Sequence, residues 1–275
     1  MKRRVGVKKT PLQYRRHIIS KWLKTKALLA NPKLHGFVPD TRKMNRNTLK
    51  TMLDQYKMVY VKPDIGTFGN GVMRVEYKAG DAKPYSYQSG TAVRSFASYD
   101  AMYESIRKST RKRGYLAQKG IQLLKYKKRR FDLRVMVQQT PKKTWETTGV
   151  IGRVAHPNKI VTNFHNGGTL TPVETLLQAY LPPEQRKQYI QALRSLGVRL
   201  ARQLHVRYKG LKEIGADIGL DASLNPWVLE VNTSPDPYIF RRLKDKSIFR
   251  RIMSYARAYG KYKRVSSGAG VKSKL

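Results

Sequence analysis

The chain has 275 residues, of which 40% are hydrophobic, enough to build one large core or two smaller ones. Its 57 Lys and Arg against 17 Asp and Glu leave a formal charge of +40, so the surface presents large basic fields, and nucleic acid, anionic lipid, an anionic wall polymer or an acidic peptide would each satisfy them. With no cysteine, disulfide scaffolds, zinc-thiolate sites and thiol nucleophiles are excluded together.

At the N-terminus, Ile18, Ile19, Trp22 and Leu23 are interrupted by Ser20 and Lys21, so no signal-peptide apolar core is expected, and no run approaches a membrane span. Residues Tyr14 to Leu29 read as a basic amphipathic helix that packs on its own domain, with a place on a membrane surface as the alternative. Turn-like stretches follow at Asn31-Pro32 and Val38-Pro39-Asp40-Thr41. Asn47 to Tyr56 reads as a helix, with Leu49, Met52, Leu53 and Tyr56 at helical spacing and Asn47 or Thr48 as its cap. The period then changes. Met58 to Val61 and Val72 to Tyr77 read as two strands of a hairpin whose tip, Gly66 to Gly71, is long and rich in glycine.

Gly80 to Thr91 suits a loop with a short strand, Tyr99 to Arg111 a helix, and Tyr115 to Gln118 a strand. Phe131 to Gln138 and Trp145 to Ala155 read as strands joined by a turn at Thr140 to Lys143. Pro183 opens the strongest helix, to about His205, with Ile190, Leu193, Leu196, Leu200 and Leu204 on one face. Strands at Glu213 to Leu220 and Pro226 to Val231 precede a helix from Lys246 to Tyr259, and a Ser/Gly/Lys tail is expected to be disordered.

Three groups of residues can carry chemistry. The first is Lys62 at a strand end, followed by Gly66, Gly69 and Gly71: glycines let successive N–H groups converge on a phosphate, and the lysine adds a compact positive charge. No Gly-Lys-Ser/Thr follows, so this is not a P-loop, and a plain glycine-rich hairpin turn is the alternative. The second is Asp217 with Glu230 and Asn232 near the ends of neighbouring strands. Glu230 and Asn232, two apart, share one side, and two carboxylates with an amide oxygen suit Mg²⁺; the alternative is strand-end acids matched to Lys or Arg. The third is Arg134 in Phe131-Asp132-Leu133-Arg134 and Arg153 in Gly152-Arg153-Val154-Ala155, with a second glycine loop, Thr162 to Gly168. On adjacent strands the two arginines can clamp a phosphoryl group; a solvated strand edge is the alternative.

In order and spacing these segments resemble the ATP-grasp superfamily and, in the wording of the strands, its YheC/YheD-like branch of endospore coat-associated proteins. The resemblance runs from about Pro39 to Pro237 through Val61-Lys62-Pro63, Gln118-Lys119-Gly120-Ile121, Phe131 to Arg134, Thr162 to Gly168, and Leu229-Glu230-Val231-Asn232-Thr233-Ser234-Pro235. It implies an α+β ATP-grasp fold, two subdomains with mainly antiparallel sheets around a nucleotide, lacking a full preceding domain. The expected division is a basic N-terminal helix and linker at 1–44, a small subdomain with the flap at 45–118, a large one with the metal site at 119–262, and the tail at 263–275.

By resemblance, Lys62 contacts the α/β-phosphates of ATP, Gly66, Gly69 and Gly71 form the flap, and Gln118, Lys119 and Ile121 belong to the segment that meets adenine. Asp217, Glu230 and Asn232 hold Mg²⁺, or Mn²⁺ in its place, and Arg134 and Arg153 steady phosphate or acyl-phosphate. Asn163, Gly167 and Gly168 resemble the substrate loop of amino-acid ligases. The family uses one further, earlier lysine, for which Lys24, Lys26 and Lys33 are equal candidates. The implied activity is joining a carboxylate to an amine, in the cytoplasm, the mother cell or the spore coat. A basic coat protein that adheres to an anionic partner is the rival reading. Nucleic-acid binding, suggested by Tyr85, Tyr87 and Phe96 near basic stretches, lacks a recognition module.

Overall fold

The computed structural model describes residues 17–110, 113–162 and 167–262. The first helix, α1 (Lys21–Leu29), is shorter than the sequence pattern suggests, because the Ser20 hydroxyl accepts from the Leu23 N–H and acts as an N-cap. Residues 17–20 are non-helical, and 14–16 lie outside the described residues. A 3-10 turn at Pro32–Phe37, capped by Asn31, leads to β1 (Thr41–Lys43). Helix α2 (Arg46–Tyr56), by contrast, begins one residue earlier than expected. Its cap is Asn45, whose side chain accepts from the Thr48 N–H while the Thr48 hydroxyl accepts from the Asn45 N–H; Thr48 is thus the reciprocal partner in a capping box.

Strands β2 (Met58–Pro63) and β3 (Met73–Tyr77) pair antiparallel around the glycine tip, and β4 (Tyr85–Ser89) and β5 (Ala92–Phe96) continue the sheet. β5 is exposed along most of its length, so its sequence carries no alternation to announce it. After α3 (Tyr99–Thr110), β6 (Tyr115–Lys119) inserts between β1 and β2, giving the order β1-β6-β2-β3-β4-β5, antiparallel throughout. Leu49, Met52 and Leu53 from α2 and Met102 and Ile106 from α3 bury its apolar face with Val59, Val61 and Val75.

A second antiparallel sheet, ordered β10-β9-β8-β11-β12, is built from β8 (Arg129–Gln139), β9 (Trp145–Val154), β10 (Thr169–Thr171), β11 (Glu213–Leu220) and β12 (Pro226–Asn232), with β7 (Lys125–Tyr126) beside β8. Helix α4 (Val173–Leu177) precedes the long α5 (Pro183–Arg207). The period-2 rule divides this sheet cleanly. Leu133, Val135, Val137, Ile214, Ala216 and Ile218 face α5, whose Leu193, Leu196, Leu200 and Leu204 complete the core. Gly197 lets α5 approach closely, since a Cβ there would stand 2.8 Å from Val135. The opposite face is covered only in part. There the 3-10 turn Tyr238–Arg242 and α6 (Lys246–Ala258) pack Phe240 and Ile252 on Met136 and Ile151.

Candidate functional site

Beyond the reach of α6, the face that carries Met136 and Ile151 continues with Asp132 and Arg134 on β8, Arg153 on β9 and Asp217 on β11. In register, Asp217 lies between Arg134 and Glu230, and Arg153 lies opposite Asp132. Arg134 Nε donates to Asp217 Oδ1 at 2.6 Å. Arg153 Nη2 stands 2.9 Å from Asp217 Oδ2, and Arg153 Nε and Nη2 donate to Asp132 at 2.8 and 2.5 Å. The result is an alternating chain of four charges, each less than 10% exposed, as burial of charge demands. Burial disfavours the Asp217 carboxylate, but the two guanidiniums outweigh it and hold the acid below its ordinary range. For Arg153 burial likewise opposes the charge, and Asp132 and Asp217 more than reverse it.

Glu230 and Asn232 extend this floor. Asp217 sits in the middle of β11 rather than near a strand end, and the bulge that follows it locally re-aims the strand. Glu230 Oε1 is 3.6 Å from Lys21 Nζ, and Asn232 Nδ2 is 3.5 Å from Asp217 Oδ2. Among the described residues no group of three His, Cys, Asp or Glu gathers as a metal cluster. The donor set is two carboxylates and one amide, hard oxygens whose chemistry fits Mg²⁺ or Mn²⁺ with water and phosphate completing the shell.

The roof comes from the first sheet. Lys62, at the end of β2, reaches across to donate to the Leu229 carbonyl of β12 at 3.2 Å, so it bridges the two sheets. Desolvation lowers Lys62 to a pKa of about 8, with Glu230 the strongest opposing attraction, and burial does the same to Lys24 in α1. Lys26 and Lys33 are exposed, so of the three early lysines only Lys24 turns inward, beside Lys62. Lys21, which the sequence did not single out, donates to the Gly66 carbonyl at 2.9 Å and so ties the flap to the edge of the acid site. In the flap, Gly69 and Gly71 both have φ of 74°, in the left-handed region that favours glycine.

Two adjoining clefts lie between roof and floor. The larger, about 380 Å³, is lined by Gly66 and Gly69 above and by Arg134, Arg153, Asp217, Glu230 and Asn232 below. The other holds Lys62, Gln118, Lys119, Ile121 and Leu229, and the two share Gly69, Val72, Arg153, Asp217 and Glu230. Gln118 is buried, its Nε2 donating to Thr41 Oγ1. Gly71 borders neither of these two clefts. It lies behind the flap, with Tyr115 Oη 2.8 Å from where a Cβ would be. Gly167 and Gly168 belong to the approach to β10 and line neither cleft; Gly167, at φ 83°, packs on the His156 ring. Asn163 lies outside the described residues.

Asp132, Lys21 and Lys261 also line the two clefts, although their places in the sequence suggested no role for them. Lys261 lines the larger cleft and donates to Glu213 Oε1 at 2.5 Å and to the Pro235 carbonyl at 2.9 Å, anchoring the end of α6 behind the acids. An acid inside an apolar strand was the visible signal for Asp132. Its partner Arg153 is 21 positions away, and only the strand register joins them.

The sequence model for YheC/D-like ATP-grasp proteins matches residues 10–262. The chain belongs to this family. Two relatives from Bacillus subtilis (strain 168) are described as endospore coat-associated proteins. YheD is 26% identical over 237 residues, covering 82% of this chain and 50% of the relative; YheC is 21% identical over 222 residues, covering 80% and 61%. The chain thus spans about half to three fifths of their lengths. Among solved structures, the D-cycloserine synthetase DcsG superposes with a TM-score of 0.54 at 12% identity, covering 87% of this chain and 70% of that one. The C-terminal domain of K. lactis Pby1, described as an ATP-grasp enzyme, gives 0.52 at 16% identity, covering 88% and 73%. The fold is therefore ATP-grasp, an α+β architecture that implies nucleotide binding. Among the described residues no helix is long and apolar enough to cross a membrane.

Proposed function

We propose that this YheC/D-like ATP-grasp protein is an ATP-dependent carboxylate–amine ligase that works through an acyl-phosphate. A substrate carboxylate attacks the γ-phosphorus of ATP, releasing ADP and forming the mixed anhydride; an amine then attacks the acyl carbon, and phosphate leaves as the amide forms. No protein nucleophile is needed. The catalytic demand is positioning and neutralisation of charge in a site closed to water.

In this reading Lys62 holds the α/β-phosphates, the segment Gln118, Lys119 and Ile121 meets adenine, and Gly66, Gly69 and Gly71 shape the flap over the phosphates. Asp217, Glu230 and Asn232 would hold Mg²⁺ or Mn²⁺, which when bound neutralises phosphate charge. Arg134 and Arg153 spend their Nε-side donors on Asp217 and Asp132 while both line the cleft, so each retains guanidinium N–H groups for the transferring phosphoryl group. A unit-charge contact at about 4 Å is worth up to ~4 kcal/mol at the effective dielectric near a protein surface. Asn163, Gly167 and Gly168 are assigned to a substrate loop.

The observation that carries this reading is the meeting of Lys62, Glu230 and Asp217 around one cleft, although they arrive from two different sheets. Mg-ATP at about 100 times its Kd is expected to raise the melting temperature by roughly 5–10 °C. An ATPase screen across amino acids, cell-wall precursors and acidic peptides then finds the substrates. Stabilisation by polyanions alone, with no response to Mg-ATP, would favour the second reading: a basic coat protein that adheres to an anionic partner. Its support is the 57 Lys and Arg against 17 acids, together with relatives described as coat-associated. Either reading is compatible with a place in the spore coat or the mother cell.

A further inference from the structure

Next to the larger cleft lies a groove of about 450 Å³ that no role above assigns. Its walls are Leu170 of β10 on one side and Tyr238, Ile239, Arg241 and Arg242 of the 3-10 turn on the other. Asp236 and Ile239 line both groove and cleft, so the two are continuous. Leu170 is the register partner of Arg153, which places the groove one strand, about 5 Å, from the arginine that faces the phosphoryl site.

Three features of the groove point to one kind of occupant. Arg241 and Arg242 are exposed, and neither pairs with an acid among the described residues. Their turn is held in place: Lys246 Nζ donates to the carbonyls of Arg241 and Leu243, both at 2.9 Å, and Phe240 is fully buried. Beside them Tyr238 stands 51% exposed, packed on Phe249 at 5.9 Å. Guanidinium forks with an exposed aromatic ring suit a carboxylate-bearing chain. The third feature is backbone. β10 is the edge strand of its sheet, and no described residue pairs with its outer side. An open strand edge recognises an extended peptide through main-chain hydrogen bonds, and alternate side chains then reach the flanking walls.

We propose that this groove binds an acidic peptide, added in extended form to the edge of β10 with its carboxylates on Arg241 and Arg242, and that it feeds one end of that peptide into the ligation cleft. The proposal rests on the ligase reading for its purpose but not for its binding chemistry. A nucleic acid or polyphosphate would use the arginines and have no use for the strand edge.

The test measures fluorescence anisotropy of labelled hexaglutamate with the full chain, alongside the melting shift with Mg-ATP. The double variant R241E/R242E, at two exposed positions, is expected to bind the peptide at least about tenfold more weakly and to keep the wild-type Mg-ATP shift. Methylating alternate backbone nitrogens of the probe is expected to weaken binding to the wild type by a similar factor. Undiminished binding to the double variant overturns the proposal. So does equal affinity for the N-methylated probe, or displacement by polyphosphate of matched charge at equal concentration, because either outcome reduces the groove to a non-specific basic patch. If the double variant fails to fold, as a lost Mg-ATP shift would reveal, R241Q/R242Q serves in its place. A wild type that binds peptide as described and shows no Mg-ATP shift removes the ligase reading and leaves the groove standing.

Discussion

The floor and the flap of the cleft solve opposite problems. On the floor, Asp132, Arg153, Asp217 and Arg134 are fixed on three neighbouring strands and pair with one another, so each charge is oriented before any ligand arrives. The flap has left-handed glycines and, through Lys21, a tether at Gly66. Rigid strands hold the groups that must be accurate, and in the proposed reading glycine supplies the segment that folds over phosphate. Preorganisation and adaptability are thus divided between the two sheets.

The contrast is broken most severely at Glu230. Glu230→Gln keeps the shape of the side chain and loses a largely buried ion pair with Lys21 together with its attraction for Lys62 and Lys24, so the melting temperature should fall modestly while Mg-dependent ATP turnover disappears. Turnover that persists at the wild-type rate would remove Glu230 from the metal site.

Next comes Asp132→Ala, which leaves Arg153 and Arg134 to share Asp217, with one buried positive charge in excess, and should cost about 3–5 kcal/mol by denaturant titration. Adding Arg153→Met should recover part of that stability without recovering turnover. A cost below about 1 kcal/mol would mean the floor is not held by its charge chain.

The roof should respond to pH where the floor does not. Folded Lys62 and Lys24 titrate near 8 against an ordinary 10.5, so between pH 8 and 10.5 the unfolded chain binds more protons and stability rises with pH. Phosphate requires the charged lysine, so ATP affinity should move the other way, falling about tenfold from pH 7 to 9 in calorimetry. Lys62→Met should flatten most of that slope.

The smallest effect is expected at Gly71→Ala. Its φ of 74° and a Cβ position 2.8 Å from Tyr115 Oη strain the flap root, for about 1 kcal/mol of stability. ATP affinity should change more than the melting temperature, and the reverse would mean that this end of the flap is merely structural.

Much of this was legible in the chain. The alternation of β11, the apolar stripe of α5 and the glycine tip between β2 and β3 are local patterns, and local patterns survive in one dimension. Ser20 was missed as a cap because the helical pattern read from Tyr14 runs straight through it, Asn45 because Asn47 and Thr48 offer equally suitable caps just beyond it, and β5 because exposure erased its period. In the site, Asp217 and Glu230 stood out as acids in a basic chain. Asp132 and Lys21 did not. One acts through a partner brought alongside by register, and the other is one basic residue in a basic segment until the fold sets it beside Gly66 and Glu230.

Lys119, at the end of β6, places its ammonium 5.3 Å from the ring of Tyr56 and 5.0 Å from that of Trp227, which belongs to the other sheet; Trp227 is itself anchored by its indole N–H donating to Asp221 at 2.8 Å. A cation over an indole alters its emission. Trp227, one of three tryptophans, therefore serves as a native optical gauge across the two sheets, and a movement that separates Lys119 from it is expected to change tryptophan fluorescence without an added label.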